Sequence, residues 1–274
     1  MKKCLLLTLS LLSVAHLANG AVAFQLRTIY ESSFDDATYS ASGNTTLGGG
    51  WESRGPEDKE YNVASSGELA IRDANGGEGN FDSLNQSFNG LTLATVGERV
   101  DISFDYQVVD EGNGVSNSNN GIRFGFVGGT NGNGNDGYGL YIASGSNSSN
   151  HIRPMTSVNS AYAGAVGSAA VFNSVEGLYD SATLRLEVSA YGELTLSGSV
   201  GGVAIAPVVA PNYYRLFDEF GFSAGGLNQG IRIDNFRVDY LQAVPEPQTA
   251  SLILLALLMF RALVHDKTVK EDYA

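Results

Sequence analysis

The chain reads as an all-β protein whose interior is a two-sheet antiparallel β-sandwich, and three observations carry that prediction. Short segments alternate apolar and polar residues with period two, Gly-, Asn- and Ser-rich stretches separate them, and nothing between the two ends sustains a helical period. Long apolar runs occur only near the termini, where they read as targeting devices and not as core.

At the N-terminus, Lys2 and Lys3 precede an apolar run over residues 5–17, and Ala21-Val22-Ala23 supplies the small-residue pattern after which leader peptidases cut. Residues 1–23 are therefore expected to be a signal peptide, with Ala21 and Ala23 marking cleavage by signal peptidase. Ala18-Asn19-Gly20 offers a second site, so the mature chain starts at Ala21 or Phe24. Cys4 leaves with the leader, and the mature chain then has neither a disulfide nor a thiolate metal site.

The interior, residues 24–243, has the length of one large sandwich domain. Alternation places strands at 26–30, 68–71, 100–108, 122–126, 138–143, 184–188, 194–196, 219–222 and 231–233, and a single helical turn fits 213–218. The stretches 73–80, 112–121, 128–137 and 144–150 supply the positive φ and side-chain caps that connections need. Tyr191-Gly192 reads as a hairpin tip between 184–189 and 193–198. After Ile233 the apolar phase slips, continuing at Phe236, Val238 and Tyr240, which predicts a bulge near Asp234-Asn235. About nine or ten strands at this spacing argue for two stacked sheets.

Charge and composition remove several functions. Acidic residues outnumber basic ones 29 to 16, a field that repels phosphates and makes nucleic acid and anionic polymers unsuitable partners. There is no His-Glu-x-x-His, no Gly-x-Ser-x-Gly and no Gly-x-x-x-x-Gly-Lys. His151 is the one histidine of the interior and ends a Ser/Asn stretch, a poor base for a serine triad. Glycan hydrolysis needs two converging carboxylates, but Asp218 and Glu219 are adjacent strand residues. Asp101 and Asp105 lie roughly 13 Å apart along one strand by its rise per residue. Neither Asp110-Glu111 nor 131–136 has the ligand spacing of a calcium loop. Trp51, Tyr138, Tyr141, Tyr213 and Tyr214 have two readings, as core residues or as a platform for sugar rings.

At the other end, Val244-Pro245-Glu246-Pro247 and Thr249 precede an apolar run over 250–260 and then Arg261. The two prolines hold an extended peptide around Glu246. The run falls short of the ~20 apolar residues of a stable span, which favours a temporary membrane helix, later removed, over a permanent anchor. Residues 244–274 resemble the PEP-CTERM sorting signal of bacterial surface proteins, which membrane-embedded exosortases recognise. The family's terminal arginine cluster is reduced here to Arg261, followed by His265, Lys267 and Lys270 among acidic residues.

A second resemblance runs thinly through the interior. Glu31-Ser32-Ser33-Phe34-Asp35, Gly49-Gly50-Trp51 and Ile233-Asp234-Asn235-Phe236-Arg237-Val238 look like the framing of concanavalin-like and carbohydrate-module jelly rolls. It implies that the first and last strands lie side by side, with Glu31 and Asp234 as oxygen ligands of a structural calcium (Ca2+). The alternative for Asp234 is a cap on the bulge. Together the two resemblances imply an exported, non-enzymatic protein of the cell surface or extracellular matrix, processed by an exosortase beside extracellular polysaccharide. The runner-up is a carbohydrate-binding jelly-roll module, and a glycan-active hydrolase is the third reading.

Overall fold

The computed structural model describes residues 22–32, 34, 40–42, 50–54, 59–63, 67–73, 81–110, 121–128, 136–143, 150–155, 167–169, 178–210, 214–225, 229–244, 255–259 and 261. These form β1 (Ala23–Ser32), β2 (Ser40–Ser42), β3 (Trp51–Arg54), β4 (Lys59–Val63), β5 (Leu69–Asp73), β6 (Phe81–Thr92), β7 (Arg99–Asp110) and β8 (Gly121–Gly128). They continue through β9 (Asp136–Ala143), β10 (Asn150–Met155), β11 (Gly167–Ala169), β12 (Tyr179–Val188), β13 (Leu194–Val200), β14 (Val203–Val209), β15 (Leu216–Gly225) and β16 (Gln229–Val244).

Two sheets result. A nine-stranded sheet has the order β14-β13-β12-β7-β16-β5-β4-β2, with β1 also paired to β16, and a seven-stranded sheet has the order β11-β10-β9-β8-β15-β6-β3. The first and last strands are thus neighbours, as the jelly-roll framing implies. The bulge in β16 is present: the register against β7 shifts between Asp234 and Arg237, and Asn235 takes φ 50. The hairpin at 189–193 is present as well, with Gly192 at φ 74 and its N–H donating to the Ser189 carbonyl at 2.8 Å.

The dry face of each sheet turns towards the other. Val100, Ile102, Phe104 and Tyr106 of β7 and Leu184, Leu186 and Val188 of β12 are buried against Phe124 and Phe126 of β8 and Phe220 and Phe222 of β15 in one continuous core. Trp51 is its hub, with ring centroids of Tyr30, Phe220, Phe222 and Phe236 between 5.5 and 5.9 Å away. Its indole N–H donates to the Tyr30 hydroxyl at 2.7 Å, so the polar handle of each ring satisfies the other. The aromatic cluster joins the strand at each end of the chain to the middle of the facing sheet.

Three expectations meet the structure differently. Leu216, Phe217 and Asp218 belong to β15, so no helical turn forms there; pairing with Thr92 and Leu91 of β6 decides the backbone state of so short a segment. β16 ends at Val244, whereas Pro245, Glu246, Pro247 and Thr249, like residues 1–21, lie outside the described residues; Ala23, the last residue of the expected leader, opens β1. Residues 255–259 and Arg261 are helical and exposed, and among the described residues no helix is long and apolar enough to cross a membrane.

Candidate functional site

Directly paired residues of antiparallel strands share a face, so the registers sort the outward side chains of each sheet. On the nine-stranded sheet that face is covered by pairs made within the protein. Arg185 Nε donates to Asp101 at 2.7 Å across the β12–β7 pair, with Arg99 at 3.3 Å from the same carboxylate. Arg232 meets Glu68 at 3.3 Å, and Tyr179 donates to the other oxygen of Glu68. Arg237 lies 2.7 Å from Asp239 and 3.3 Å from Glu31.

The two residues expected to ligate calcium also have polar partners within the protein. Glu31 faces a guanidinium, and Asp234 Oδ1 accepts the N–H of Asn235 at 2.6 Å, capping the bulge. Asp105, opposite Asp234 in the register, accepts from the Asn235 amide at 2.9 Å. Among the described residues no three acidic, histidine or cysteine side chains gather as a metal site. Both carboxylates are engaged inside the protein.

The outward face of the seven-stranded sheet is built differently, and three rows cross it. His151 of β10 pairs with Tyr141 of β9, and Tyr141 with Arg123 of β8. Two residues along, Arg153, Gly139, Gly125, Gly221, Asn85 and Glu52 follow one another from β10 to β3. The third row holds Met155, Gly137, Val127, Glu219 and Ser87. A lane of three glycines therefore separates an aromatic and cationic ridge from a ridge of Met155, Val127 and Glu219.

Two of those glycines, Gly125 and Gly221, are needed. A Cβ on Gly125 would press on the Tyr138 carbonyl and come within 2.6 Å of Gly139 Cα and 2.8 Å of Met155 Sδ. One on Gly221 would press on Asn85 Oδ1 and come within 2.6 Å of the Leu84 carbonyl. Close approach of neighbouring backbone is a principal reason for glycine inside a strand, and here it falls on the outward side. Met155 and Val127 form a small buried apolar cluster of their own, separate from the main core.

Polar groups share this shielded face. Asn85, Glu219 and His151 are buried, with Glu219 only 4% exposed. The Tyr141 and His151 rings lie 4.8 Å apart at 33°, and the Arg123 guanidinium stands 5.7 Å from the Tyr141 centroid, within cation–π range. Burial raises the Tyr141 phenol above its ordinary pKa, while the positive charges of Arg123 and Arg153 pull it back. Of the two arginines, Arg123 is the one that stands over the ring.

Of the aromatic candidates, Trp51 and Tyr138 are core, Tyr214 is half-buried against the core, Tyr213 lies outside the described residues, and Tyr141 is the one among the described residues that reaches this face. His151, read from the sequence as the end of a loop, is a strand residue. Asp218 lies at a register shift in which β15 faces a longer stretch of β6. His151 and Glu219 are three strands and four residues apart in the register, about 20 Å by strand spacing and rise.

The sequence matches no family model, and comparison with curated proteins finds no match. Solved structures do resemble the fold. The carbohydrate recognition domain of Emp47p aligns with TM-score 0.53 at 12% identity, covering 80% of this chain and 98% of that one. Peanut lectin aligns with TM-score 0.50 at 15% identity, over 82% of this chain and 100% of its own. A carbohydrate esterase from Shiga toxin-encoding bacteriophage phi24B gives TM-score 0.50 at 13% identity, over 78% and 99%. At such identities the likeness is one of fold: this chain is a two-sheet β-sandwich of the jelly-roll kind shared by those proteins.

Proposed function

We propose that this chain is an exported, non-enzymatic carbohydrate-binding β-sandwich whose ligand face is the outward side of the seven-stranded sheet. The observation that carries the reading is the row His151, Tyr141 and Arg123 beside the glycine lane, with buried Asn85 and Glu219 beyond it. A sugar ring offers an apolar face for an aromatic side chain and hydroxyls for buried polar groups, the composition expected of a small-molecule site. Carbohydrate recognition in proteins of this fold supports the same choice. The separation of His151 from Glu219 favours binding over catalysis.

Export rests on the basic, then apolar, then small-residue order of residues 1–23, and surface display on the PEP-CTERM-like segment 244–274. In this reading signal peptidase removes the leader, an exosortase processes the chain near Pro245-Glu246-Pro247, and the sandwich is left among extracellular polysaccharide. Intact-mass measurement of cell-derived protein tests the processing: ends near Phe24 and Pro245 are expected, and a retained Ala274 would contradict it. Binding is tested by affinity electrophoresis through gels of neutral and acidic polysaccharides, with Tyr141→Ala as the site variant. Retardation of the wild type by at least one polysaccharide, weakened about tenfold in the variant, corresponds to one lost stacking contact of ~1.4 kcal/mol. A wild-type protein that runs freely in every gel would refute the reading.

A further inference from the structure

We infer that one end of the sandwich, bearing Leu26, Val96, Tyr191, Val209 and Leu216, docks on a lipid surface. The inference rests on reading segment 244–274 as a temporary membrane attachment and adds to it the part of the sandwich that meets the bilayer.

The registers place these five residues at one end of the compact unit 26–241. Arg99, which opens β7, pairs with Leu241 of β16 and with Glu187 near the close of β12. Beyond β12 stands the 189–193 hairpin with Tyr191, and β14 returns to the same edge with Val209 opposite Thr195. In the facing sheet Leu216 pairs with Thr92, and residues 93–98, Val96 among them, cross from that pair to Arg99. β1 joins them: its contacts step from Asp239 at Thr28 to Arg237 at Glu31, so it runs antiparallel to β16 with Leu26 towards Leu241. Of the large apolar side chains exposed among the described residues 26–241, only Leu178 and Tyr179 lie elsewhere, Tyr179 pairing with Gln107 towards the other end of β7.

Polar contacts close the turns that carry the tips. Glu98 accepts the N–H groups of Ala94 and Thr95 at 2.8 and 2.7 Å, and the Gly97 N–H donates to the Val188 carbonyl at 2.9 Å. Ser189 Oγ accepts the N–H groups of Tyr191 and Glu193, both at 3.3 Å, and the Arg215 guanidinium donates to the Gly192 carbonyl. Neither turn needs an apolar side chain to close, yet Tyr191 is 90% exposed and Val96 is exposed as well. Charge is sparse around them: residues 83–97, 188–192 and 194–214 contain no Asp, Glu, Lys or Arg, in a chain of formal charge −13. Of the carboxylates bordering the tips, Glu98 is engaged within its turn and Glu193 is exposed.

Chain continuity names the occupant. Leu241 lies at this end, and the apolar run 250–260 begins nine residues on, at most about 32 Å of extended chain. A bilayer holding that run keeps this end within reach, while the far end of the 12-residue β7 is roughly 37 Å more distant by strand rise. A tyrosine ring with its hydroxyl suits the membrane interface, and uncharged aliphatic tips enter it without burying a charge. A second copy of the chain has no comparable link to this end.

The test is quenching by lipids brominated on their acyl chains, in phosphatidylethanolamine and phosphatidylglycerol vesicles carrying the full-length protein. Trp51 is fully buried and supplies a constant background, so tryptophan is added singly by Tyr191→Trp, by Val96→Trp and, away from this end, by Leu178→Trp. Melting temperatures show that each variant folds. Tyr191→Trp and Val96→Trp should lose about half of their added emission to brominated lipid and shift to shorter wavelength, as for tips inserted into the headgroup and acyl boundary, while Leu178→Trp keeps its emission. Unquenched tips in protein that floats with the vesicles, or equal quenching at Leu178→Trp, overturn the inference and leave the reading of 244–274 intact. Emission that shifts with protein concentration and not with lipid assigns this end to a second copy and overturns it likewise. Protein that does not float with vesicles overturns the membrane reading of 244–274, and this inference with it.

Discussion

Gly125→Ala tests whether the outward face of the seven-stranded sheet is packed as described. The added methyl would lie against the Tyr138 carbonyl, 2.6 Å from Gly139 Cα and 2.8 Å from Met155 Sδ. Ordinary Cβ contacts begin near 3.4 Å, so Gly139 must move by about 0.8 Å and the carbonyl by more. Met155 can rotate away, but the other two obstacles are backbone held in the β8–β9 ladder. Overpacking costs 1–3 kcal/mol and more where backbone must shift, which sets the expectation at about 3 kcal/mol. In a domain of this size that is a fall of roughly 6–12 °C in Tm. Trp51, the one tryptophan and fully buried, reports unfolding in urea by its fluorescence. Gly192→Ala is the control: its φ is 74 with nothing within 4 Å, so only the left-handed strain of about 1 kcal/mol applies. A Gly125→Ala protein within about 0.5 kcal/mol of wild type, or more stable than the control, would refute the close approach.

Trp51→Ala removes the hub of the aromatic cluster and leaves the Tyr30 hydroxyl without its indole donor, for an expected loss of about 4 kcal/mol in urea titrations followed by circular dichroism; a loss under about 2 kcal/mol would count against the cluster as the junction of the sheets. Tyr240 has its pKa pushed up to about 12 by burial and then by the Glu98 carboxylate. Its neutral form is favoured in the folded state, so this stabilisation is complete below the unfolded value near 10. It is lost as pH rises towards 12. The Tm advantage of wild type over Tyr240→Phe should therefore shrink between pH 8 and pH 11, and a constant advantage would disprove the coupling. Because Arg237 already answers Glu31, melting in EDTA should match melting in calcium, and a fall on chelation would show that an ion joins the first and last strands after all.

Most strands with a clear alternation were legible from the sequence, and β6, β10 and β14 were not. β7, β12 and the start of β16 alternate cleanly because their outward residues are charged and paired across the sheet. β6 escaped notice because Asn85, Gln86, Ser87 and Asn89 crowd its centre and its register shifts opposite Asp218. β14 carries Pro207 near a register shift, which a strand at the sheet edge accommodates. The candidate face was hidden for a related reason. In β9 both faces are apolar or glycine, so parity alone leaves Tyr138 and Tyr141 equivalent. The signal that separates them is Gly137 and Gly139 sharing phase with Tyr141, read beside His151 and Arg153 sharing phase in β10. Period two in glycine is as informative as period two in leucine.

The two outward faces solve opposite problems. On the nine-stranded sheet, exposed ion pairs and the 2.9 Å contact between the Thr183 and Ser199 hydroxyls each contribute little to stability, but they keep a broad polar surface soluble and hold its register. On the seven-stranded sheet, Glu219, Asn85 and His151 are withdrawn from water although the hydrophobic core lies on the other side. Burying polar groups costs free energy, and glycine inside a strand costs more, so stability alone gives no reason for either. The proposed binding role, which needs donors, acceptors and an aromatic ring held in a fixed arrangement, offers a reason for both. On the proposed function, that reason assigns the ligand to this face and not to the charged one.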